Sequence, residues 1–496
     1  MVIIEKGTTA IRIICNSSGY LAEAPQVSIW EFLRKNLTEY EWDNRKKVSI
    51  FKYAYYRYDK VTGVLNLPIN ILRYLETYFR TMGVVFTINQ IAPNPSVDIN
   101  IINSGIFEDR DYQVDAVKFL INPKQYMKAL ELQTGRGKTY IAIRTIMEIR
   151  KRAIIIVPAF LMVQWNDSLT AMCDAKLGVI QGSKSIQDIV NANYETDVDV
   201  FLASITTLQE YAMGGSIYNV MPPFREFIRN LQIGVKVVDE CHLNFSANMM
   251  IDIQSDVEHN IYLSATYIRS SKNSHAIFRK IFPDEIKYDS GVADRYVDVT
   301  EVQYSLGPIE KKRYSVDRGY SQFKYEKFIL RSPQKLRDFI NKVLYPVVEK
   351  YYIEKKRDGQ KLLILVGLRE FAELLGQWFD NMYPNLKSVA FLGGSEESEL
   401  VESDIIISTA GSAGTGKDIK NLRTMLLFTS FSSEATTMQT MGRLRKLEED
   451  TPEFCYLINV GVDSHLRHSE VRRPIYKHLG KSFTVVSVSE GDRNHG

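Results

Sequence analysis

The sequence is poor in the features that mark secreted and membrane-bound proteins. It has only four cysteines, Cys15, Cys173, Cys241 and Cys455, and none of them forms a C-x-x-C pair. That spacing argues against a disulfide framework or a zinc finger and favours a reducing cytoplasm. No apolar run approaches the roughly 18 residues that a membrane span needs, and the N-terminal stretch MVIIEKGTTAIRII lacks the basic-then-apolar order of a signal peptide. We therefore expect a cytoplasmic protein.

The chain also has a low net charge. The chain has 62 Lys and Arg against 59 Asp and Glu, which gives a formal net charge of +3. No global field draws such a molecule onto a polyanion, so any nucleic-acid binding must come from local patches. The hydrophobic fraction of 45% is that of an ordinary globular protein. At 496 residues the chain is too long for one ordinary domain, and three or four are expected.

Hydrophobic patterning divides the chain. Residues 1–104 mix alternating strand patterns with short amphipathic helices and end in APNPSVDINIINSG, which predicts a small α+β domain and a linker. From residue 105, nearly continuous apolar runs such as RAIIIVP and VKVVDE alternate with helical stretches. Such runs are typical of parallel strands buried on both faces. We predict two tandem α/β domains, 105–298 and 299–470, and a C-terminal tail, 471–496, whose end is disordered.

The segment LELQTGRGKTYIAI predicts a phosphate-binding loop. Gly135 and Gly137 permit a tight turn whose backbone N–H groups can surround phosphate oxygens. Lys138 supplies a cation for the outer phosphates and Thr139 a hydroxyl for Mg²⁺, at the start of a helix whose dipole favours anions. The expected nucleotide-binding residues of this loop are Thr134, Gly135, Arg136, Gly137, Lys138 and Thr139. Leu132 stands where the strict pattern has its first glycine, so an incidental glycine-rich turn is the alternative.

The segment VKVVDECHL places two carboxylates, Asp239 and Glu240, at the end of an apolar strand. The carboxyl ends of strands are where α/β sheets bind ligands. Asp239 is expected to hold Mg²⁺, directly or through water, and Glu240 to orient the attacking water. The pair by itself could equally cap the next turn, but its position in the same α/β domain as Lys138 favours the catalytic interpretation.

The segment TTMQTMGRLRKLEED in the second α/β domain carries Gln439, Arg443 and Arg445. Guanidinium groups match the charge that develops on a transferred phosphoryl group, so these side chains are candidates to contact a γ-phosphate. A solvated basic helix face is the simpler interpretation of this segment taken alone.

The GRGKT loop, DECH, the SAT triplet at 264–266 and QTMGRLRK occur in the order and spacing of the superfamily 2 helicases, which the chain resembles. It looks most like the phage UvsW-type branch-migration helicases, and the resemblance covers residues 105–470. It implies two RecA-like domains behind a small N-terminal domain. The implied function is an ATP- and Mg²⁺-dependent DNA helicase, monomeric, that remodels single-stranded and branched DNA in recombination, repair or replication, with recombination or replication proteins as further partners.

The resemblance also implies roles for single residues. Tyr112 and Gln113 resemble the segment that reads the adenine edge. The residues similar to nucleic-acid contacts of the family are Pro158, Gln164, Thr206, Thr207, Gly367 and Thr409. Those that resemble further nucleotide contacts are Gly416, Asp418 and Gln439, and those that resemble coupling residues are His242, Ser264 and Thr266. Arg443 is the first candidate for the arginine finger and Arg445 the second, because Lys446 stands where the family commonly has an arginine.

A basic and aromatic stretch, RKKVSIFKYAYYRYDK at residues 45–60, marks the N-terminal domain. On one long strand, Lys52 and Tyr56 would share a face that could contact nucleic acid. A sheet whose tyrosines pack in the core is the alternative. Two other functions share the same motifs: an RNA helicase, and a double-stranded DNA translocase that serves as the motor of a nuclease or restriction complex. Trp165 is expected to pack rather than to stack on bases.

Overall fold

The computed structural model describes residues 1–43, 48–105, 109–132, 135–264, 272–289, 295–316, 319–409 and 419–488. Four residues with expected roles lie outside this part of the chain, namely Thr134, Thr266, Gly416 and Asp418. The chain divides into two compact units, Met1–Gly291 and Val292–Gly496. Among the described residues, no helix combines the length and the apolar character that crossing a membrane requires. All four cysteines are buried free thiols.

Residues 1–90 form a small α+β region. Its strands and helices are β1 (Val2–Lys6), β2 (Ala10–Ile14), β3 (Tyr20–Leu21), β4 (Ala24–Ser28), β5 (Thr38–Asp43), β6 (Val48–Ala54), β7 (Arg57–Tyr58), β8 (Val64–Pro68), β9 (Phe86–Gln90), α1 (Trp30–Asn36) and α2 (Leu72–Thr81). One sheet has the order β7-β8-β2-β1-β9, with β9 parallel to β1 and the other neighbours antiparallel. The hairpins β3–β4 and β5–β6 form separate two-stranded sheets.

The next part of the first unit is an α/β domain. Its elements are β10 (Met127–Glu131), β11 (Ala153–Val157), β12 (Leu177–Ile180), β13 (Val200–Ser204), β14 (Val235–Val238), β15 (His259–Ser264), β16 (Lys287–Asp289), α3 (Asp111–Ile121), α4 (Lys138–Ile149), α5 (Met162–Met172), α6 (Gly182–Asn191), α7 (Ile205–Ala212), α8 (Phe224–Asn230), α9 (Phe245–Asp252) and α10 (Lys272–Ile281). The strands have the order β12-β13-β11-β14-β15-β10-β16. All their pairings are parallel, and β11 and β13 are buried along their whole length.

The N-terminal region shares its core with this α/β domain. The side chains of both form one hydrophobic cluster, in which the Tyr55 and Phe245 rings lie 4.9 Å apart. Polar contacts reinforce the junction: Thr9 donates to the carbonyl of Asp252 at 2.6 Å, and the buried Arg12 pairs with Asp256. The stretch expected to be a linker is anchored as well, since the side chain of Asn94 donates to the carbonyl of Ser255 at 2.6 Å.

The second unit is also α/β. Its elements are β17 (Asp298–Tyr304), β18 (Ser315–Val316), β19 (Gly319–Tyr320), β20 (Lys361–Val366), β21 (Ser388–Phe391), β22 (Ile405–Thr409), β23 (Leu422–Leu427), β24 (Glu453–Asn459), β25 (Ser482–Val488), α11 (Gln322–Leu330), α12 (Pro333–Phe339), α13 (Tyr345–Val348), α14 (Arg369–Met382), α15 (Glu397–Glu402), α16 (Glu434–Met441) and α17 (Asp463–Leu479). The parallel sheet has the order β21-β22-β20-β23-β24-β17-β25. The predicted α/β class with two tandem parallel sheets is confirmed.

The prediction of a tail over 471–496 is wrong for most of its length. Helix α17 continues to Leu479, and β25 then pairs in parallel with the whole of β17 at the edge of the sheet. An edge strand is covered less completely than a central one, so its sequence SFTVVSV alternates and lacks the continuous apolar run that identified the other strands. Residues 489–496 lie outside the described part.

Candidate active site

One edge of the first parallel sheet collects the residues expected to bind nucleotide and nucleic acid. Because β10, β11, β13, β14 and β15 are parallel, their carboxyl ends meet at that edge. The phosphate loop follows β10, Pro158 follows β11, Thr206 follows β13, Asp239 follows β14, and Ser264 ends β15. The sheet therefore brings together segments that are far apart in the sequence.

The phosphate loop has the backbone that its glycines predict. Gly135 and Gly137 have φ values of +86° and +78°, in the left-handed region that favours glycine. A Cβ atom on Gly137 would also lie only 2.6 Å from Nε2 of Gln113. Lys138 is the first residue of α4, with Thr139 next to it, and its Nζ donates to the carbonyl of Leu132 at 3.1 Å. Leu132, which replaces the usual first glycine, thus contributes a carbonyl to this loop.

The segment expected to read adenine contacts the loop directly. Tyr112 donates its hydroxyl to the carbonyl of Arg136 at 3.0 Å, and the Arg136 guanidinium lies 4.3 Å from the centre of the Tyr112 ring. Gln113 is buried, and its Oε1 accepts the backbone N–H of Arg110 at 2.9 Å at the start of α3. The structure therefore places Tyr112 and Gln113 beside the loop.

Of the two carboxylates after β14, Asp239 is buried and Glu240 is half-buried, and both interact with the charge of Lys138. Asp239 is 8% exposed, and burial together with the neighbouring Glu240 raises its pKa to about 6, against the opposing effect of Lys138. Burial also raises the pKa of Glu240, and Lys138 again opposes the shift. Glu240 has a φ of +47°, a region uncommon for residues other than glycine. One buried and one half-buried carboxylate therefore lie at this strand end under the charge of Lys138.

This site fits a divalent cation. Within the described residues, the buried Oε2 of Glu240 has no hydrogen-bond partner, so the cluster has an unused acceptor as well as excess negative charge. Carboxylate and hydroxyl oxygens are the ligands that Mg²⁺ prefers. Asp239 and Thr139 would hold Mg²⁺ together with nucleotide phosphates.

His242 links the acidic pair to the end of β15. Its Nδ1 lies 2.8 Å from the hydroxyl of Ser264 and 3.3 Å from Oε2 of Glu240. Both His242 and Ser264 are buried. The two described residues with an expected coupling role are therefore in contact, next to the carboxylate expected to orient water.

Trp165 has a contact that packing alone does not predict. The indole Nε1 donates to Oδ2 of Asp239 at 2.8 Å, while Oδ1 of Asp239 accepts the backbone N–H of Glu240 at 2.8 Å. A buried indole N–H needs an acceptor. That requirement, together with the nearby strand-end carboxylate, is the signal in the sequence that could have identified the contact.

The expected nucleic-acid residues of the first unit differ in exposure. Gln164 on α5 and Thr206 on α7 are exposed, and Pro158 is buried. Thr207 is 5% exposed, and its hydroxyl accepts the backbone N–H of Gly182 at 2.9 Å. Gln164 can therefore reach a ligand at the sheet edge. The Thr207 hydroxyl is engaged within the protein, and the hydroxyl of the exposed Thr206 lies 2.8 Å from that of Ser204.

The prediction of one long strand carrying Lys52 and Tyr56 is wrong. The chain leaves β6 after Ala54, and β7 belongs to another sheet. Between them, the buried Tyr55 donates to Oε2 of Glu39 at 2.5 Å, and this tertiary contact ends the alternation. Tyr56 packs with its ring 6.0 Å from that of Trp30, and Lys52 pairs with Glu39 at 3.1 Å.

In the second unit, Gly367 follows β20 and Thr409 ends the neighbouring parallel strand β22. The backbone N–H groups of Gly367 and Leu368 each donate to the carboxylate of Glu326 at 2.6 Å. Glu326 is fully buried. The amide of Gly367, a residue with an expected nucleic-acid contact, is therefore already bonded within the chain.

Gln439 lies on α16, and the arginines follow this helix. Burial and the nearby Arg445 lower the pKa of Arg443 to about 10, so its guanidinium stays charged at neutral pH. Arg445 donates to the carbonyl of Gly442 at 2.6 Å, and Lys446 is exposed. Arg443 and Arg445 are thus both half-buried, in contrast to the exposed Lys446.

The chain is similar in sequence to several known proteins. A family profile described as the res subunit of type III restriction enzymes (ResIII) matches residues 106–269. The African swine fever virus protein QP509L, named as an ATP-dependent RNA helicase, is 22% identical over 437 residues, which cover 84% of this chain and 81% of that protein. Helicase 161L of Invertebrate iridescent virus 6 is 25% identical over 376 residues, 72% of this chain and 77% of that protein. The DNA 3'-5' translocase XPB2 of Sulfurisphaera tokodaii is 31% identical over 109 residues, 20% of this chain and 24% of that protein.

Solved structures add to the comparison. S. cerevisiae Dbp5 bound to RNA and ADP BeF3 aligns with a TM-score of 0.50 and 14% identity over 78% of this chain and 91% of that one, which shows a shared fold. T4 UvsW aligns over 98% of this chain and 100% of that one at 17% identity, with a TM-score of 0.36 that does not by itself establish a shared fold. Relatives that match most of the chain are named helicases, and the motifs agree with them. These similarities and the motifs together support a nucleic-acid-dependent ATPase of the helicase type, similar to the superfamily 2 helicases.

Proposed function

We propose that this helicase is an ATP-dependent motor that remodels branched DNA by branch migration, fork regression or duplex unwinding. The observation that carries its ATPase chemistry is the buried Asp239 beside the half-buried Glu240, both under the charge of Lys138, at the carboxyl edge of the first parallel sheet. The choice of branched DNA is supported by the motif resemblance to UvsW-type helicases. Recombination, repair or replication is the process in which such an activity would serve.

Different residues of the first unit are proposed to bind the phosphates, the adenine, the metal ion and the attacking water. The backbone of the phosphate loop and Lys138 bind the phosphates, and Tyr112 and Gln113 contact the adenine beside that loop. Thr139 and Asp239 hold Mg²⁺, which when bound neutralises charge on the phosphate oxygens. Glu240 orients the attacking water. Arg443 of the second unit is proposed as the arginine that stabilises the transferred phosphoryl group.

Nucleic acid is proposed to bind at the same sheet edge. Gln164 and Thr206 are the exposed residues there with an expected strand contact, and Thr409 has the corresponding strand-end position in the second unit. Hydroxyl and amide groups of this kind contact phosphates, which hold a strand without reading its sequence. We therefore propose little base specificity. The contact of His242 with Ser264, next to Glu240, supports their proposed coupling role.

An RNA helicase is the second candidate. The observation that favours it is the name of QP509L, a relative that matches most of this chain and is described as an RNA helicase. A duplex DNA translocase that works for a partner nuclease is the third, favoured by the ResIII match and by the name of XPB2.

The experiment that separates these functions is steady-state ATP hydrolysis with single-stranded DNA, linear duplex, a four-way DNA junction, or RNA. Strongest stimulation by the junction or single strand, with RNA inert, would support the branched-DNA motor. Stimulation by duplex alone would indicate the translocase, and stimulation by RNA the RNA helicase. The Glu240→Gln variant, which should bind ATP without hydrolysing it, controls for contaminating ATPases. No stimulation by any of the four would overturn the proposal.

A further inference from the structure

Trp165 and Asp239 form a buried contact between a helix and the metal-binding strand end. Trp165 is 1% exposed, and its Nε1 donates to Oδ2 of Asp239 at 2.8 Å. The second carboxylate oxygen, Oδ1, accepts the backbone N–H of Glu240 at 2.8 Å. Donors on both oxygens fix the rotation of the carboxylate, so the direction of its remaining lone pairs is set before any cation arrives.

The surroundings of the indole make this bond hard to replace. Trp165 lies in a hydrophobic cluster with Leu161, Met162 and Leu169, and all three of these side chains are buried. An indole N–H can only donate, and a buried donor left without an acceptor is costly. The ring is therefore held in place by packing while its N–H holds Asp239.

We infer that Trp165 is a positioning residue for the metal-binding carboxylate and ties helix α5 to the nucleotide site. The inference rests on the proposed function, in which Asp239 holds Mg²⁺. Gln164, the adjacent residue on α5, is exposed and is the proposed strand contact. A nucleic-acid strand that binds Gln164 and shifts α5 therefore also moves Trp165. The hydrogen bond from Trp165 to Asp239 passes this movement to the carboxylate.

The Trp165→Phe variant tests the inference because it keeps an aromatic ring and removes the donor. The affinity for ADP is measured by calorimetry in the presence of Mg²⁺ and again in the presence of EDTA. We expect the Mg²⁺-dependent affinity to fall roughly tenfold, the usual effect of removing a group that orients a metal ligand, and the EDTA value to stay unchanged. Trp378→Phe is the matched control, because Trp378 packs on α14 in the second unit against Tyr345 and Phe379. An equal loss with and without Mg²⁺ would reduce Trp165 to a packing role and overturn the inference.

A second measurement uses the wild-type protein and does not depend on how the variant folds. The indole N–H of Trp165 gives a proton–nitrogen correlation, as does that of each of the other three tryptophans, Trp30, Trp42 and Trp378. Addition of Mg²⁺ to the ADP-bound protein should shift the Trp165 signal and leave that of Trp378 in place. Four unshifted signals in a protein that binds Mg²⁺·ADP would refute the role of Trp165 alone. Failure of the wild-type protein to bind Mg²⁺·ADP would instead refute the proposed function.

Discussion

The carboxylate of Glu326 accepts the backbone N–H groups of Gly367 and Leu368, each at 2.6 Å. These amides precede α14, at a helix start where N–H groups lack partners within the helix and attract anions. A side chain 41 residues away in sequence therefore occupies the amide of a residue that the resemblance implies as a nucleic-acid contact. A phosphate could reach the Gly367 amide only after Glu326 moved away.

Glu326 gives the protein a predictable dependence of stability on pH. Burial raises its pKa from the ordinary 4.5 to about 7, although Gln322 and the two amides oppose the shift. The native state therefore keeps a proton that the unfolded chain has released, and this contribution to stability is complete below pH 4.5 and is lost as the pH rises to about 7.

We expect the wild-type protein to lose stability relative to Glu326→Gln across that pH range, because the amide cannot ionise. Urea unfolding at successive pH values measures the difference. Glu370→Gln, at an exposed position on α14, is the control and should follow the wild-type pH profile. Parallel profiles for Glu326→Gln and the wild type would contradict the prediction.

Lys138→Ala should greatly reduce ATP turnover and leave nucleic-acid binding in place. The variant removes the cation that opposes the raised pKa values of Asp239 and Glu240 and that would contact the outer phosphates. A loss of about 100- to 1,000-fold in kcat is expected for a preorganised cation at a phosphoryl site. Hydrolysis and single-strand binding are measured on the same preparation, with Lys184→Ala on the exposed face of α6 as the control. Retained turnover would remove the phosphate-loop assignment.

Arg443→Ala should lower kcat by about 1,000-fold or more, the effect of removing an arginine finger, while Lys446→Ala at the exposed neighbouring position should have little effect. Arg445→Ala should cost less than Arg443→Ala, because Arg445 already donates to the Gly442 carbonyl. The measurement is ATP hydrolysis at saturating nucleic acid, so that weakened strand binding does not enter. A larger loss for Arg445→Ala than for Arg443→Ala would reverse the assignment.

Removal of residues 1–104 should prevent the first unit from folding, because that region and the α/β domain share one core.

The Arg12→Ala variant tests how much the contact between the two regions stabilises the protein. It leaves the buried Asp256 without its partner and should lower the free energy of unfolding by about 3–5 kcal/mol. Arg73→Ala removes the exposed pair with Glu285 at the same junction and should cost at most about 1 kcal/mol. The measurement is the free energy of unfolding of both variants, and the loss for Arg12→Ala should exceed that for Arg73→Ala. A truncated protein that retained ATPase activity would contradict the shared core.

The sequence predicts those parts of the site that short segments encode. Gly135 and Gly137 adopt the positive φ values of a tight loop, and Asp239 follows an apolar strand as its neighbours in the sequence indicate. Contacts between distant residues are not visible in this way. The prediction of one long strand through Tyr56 is wrong because contacts with Glu39 and Phe245 bury the Tyr55 side chain. The Gly367 amide donates to Glu326, a glutamate on another helix. The sequence therefore predicts the backbone of the loop at Gly135 and Gly137, and it does not predict the surroundings of Tyr56 and Gly367.

The common core of the N-terminal region and the catalytic sheet has a mechanical consequence. Close-packed interiors transmit strain and yield little, and Arg12 and Asn94 grip the turn at residues 252–256, directly after α9. A force applied to the N-terminal region is therefore transmitted through the shared core to the strand end that carries Asp239. The N-terminal region and the first α/β domain therefore respond to an applied force as one body.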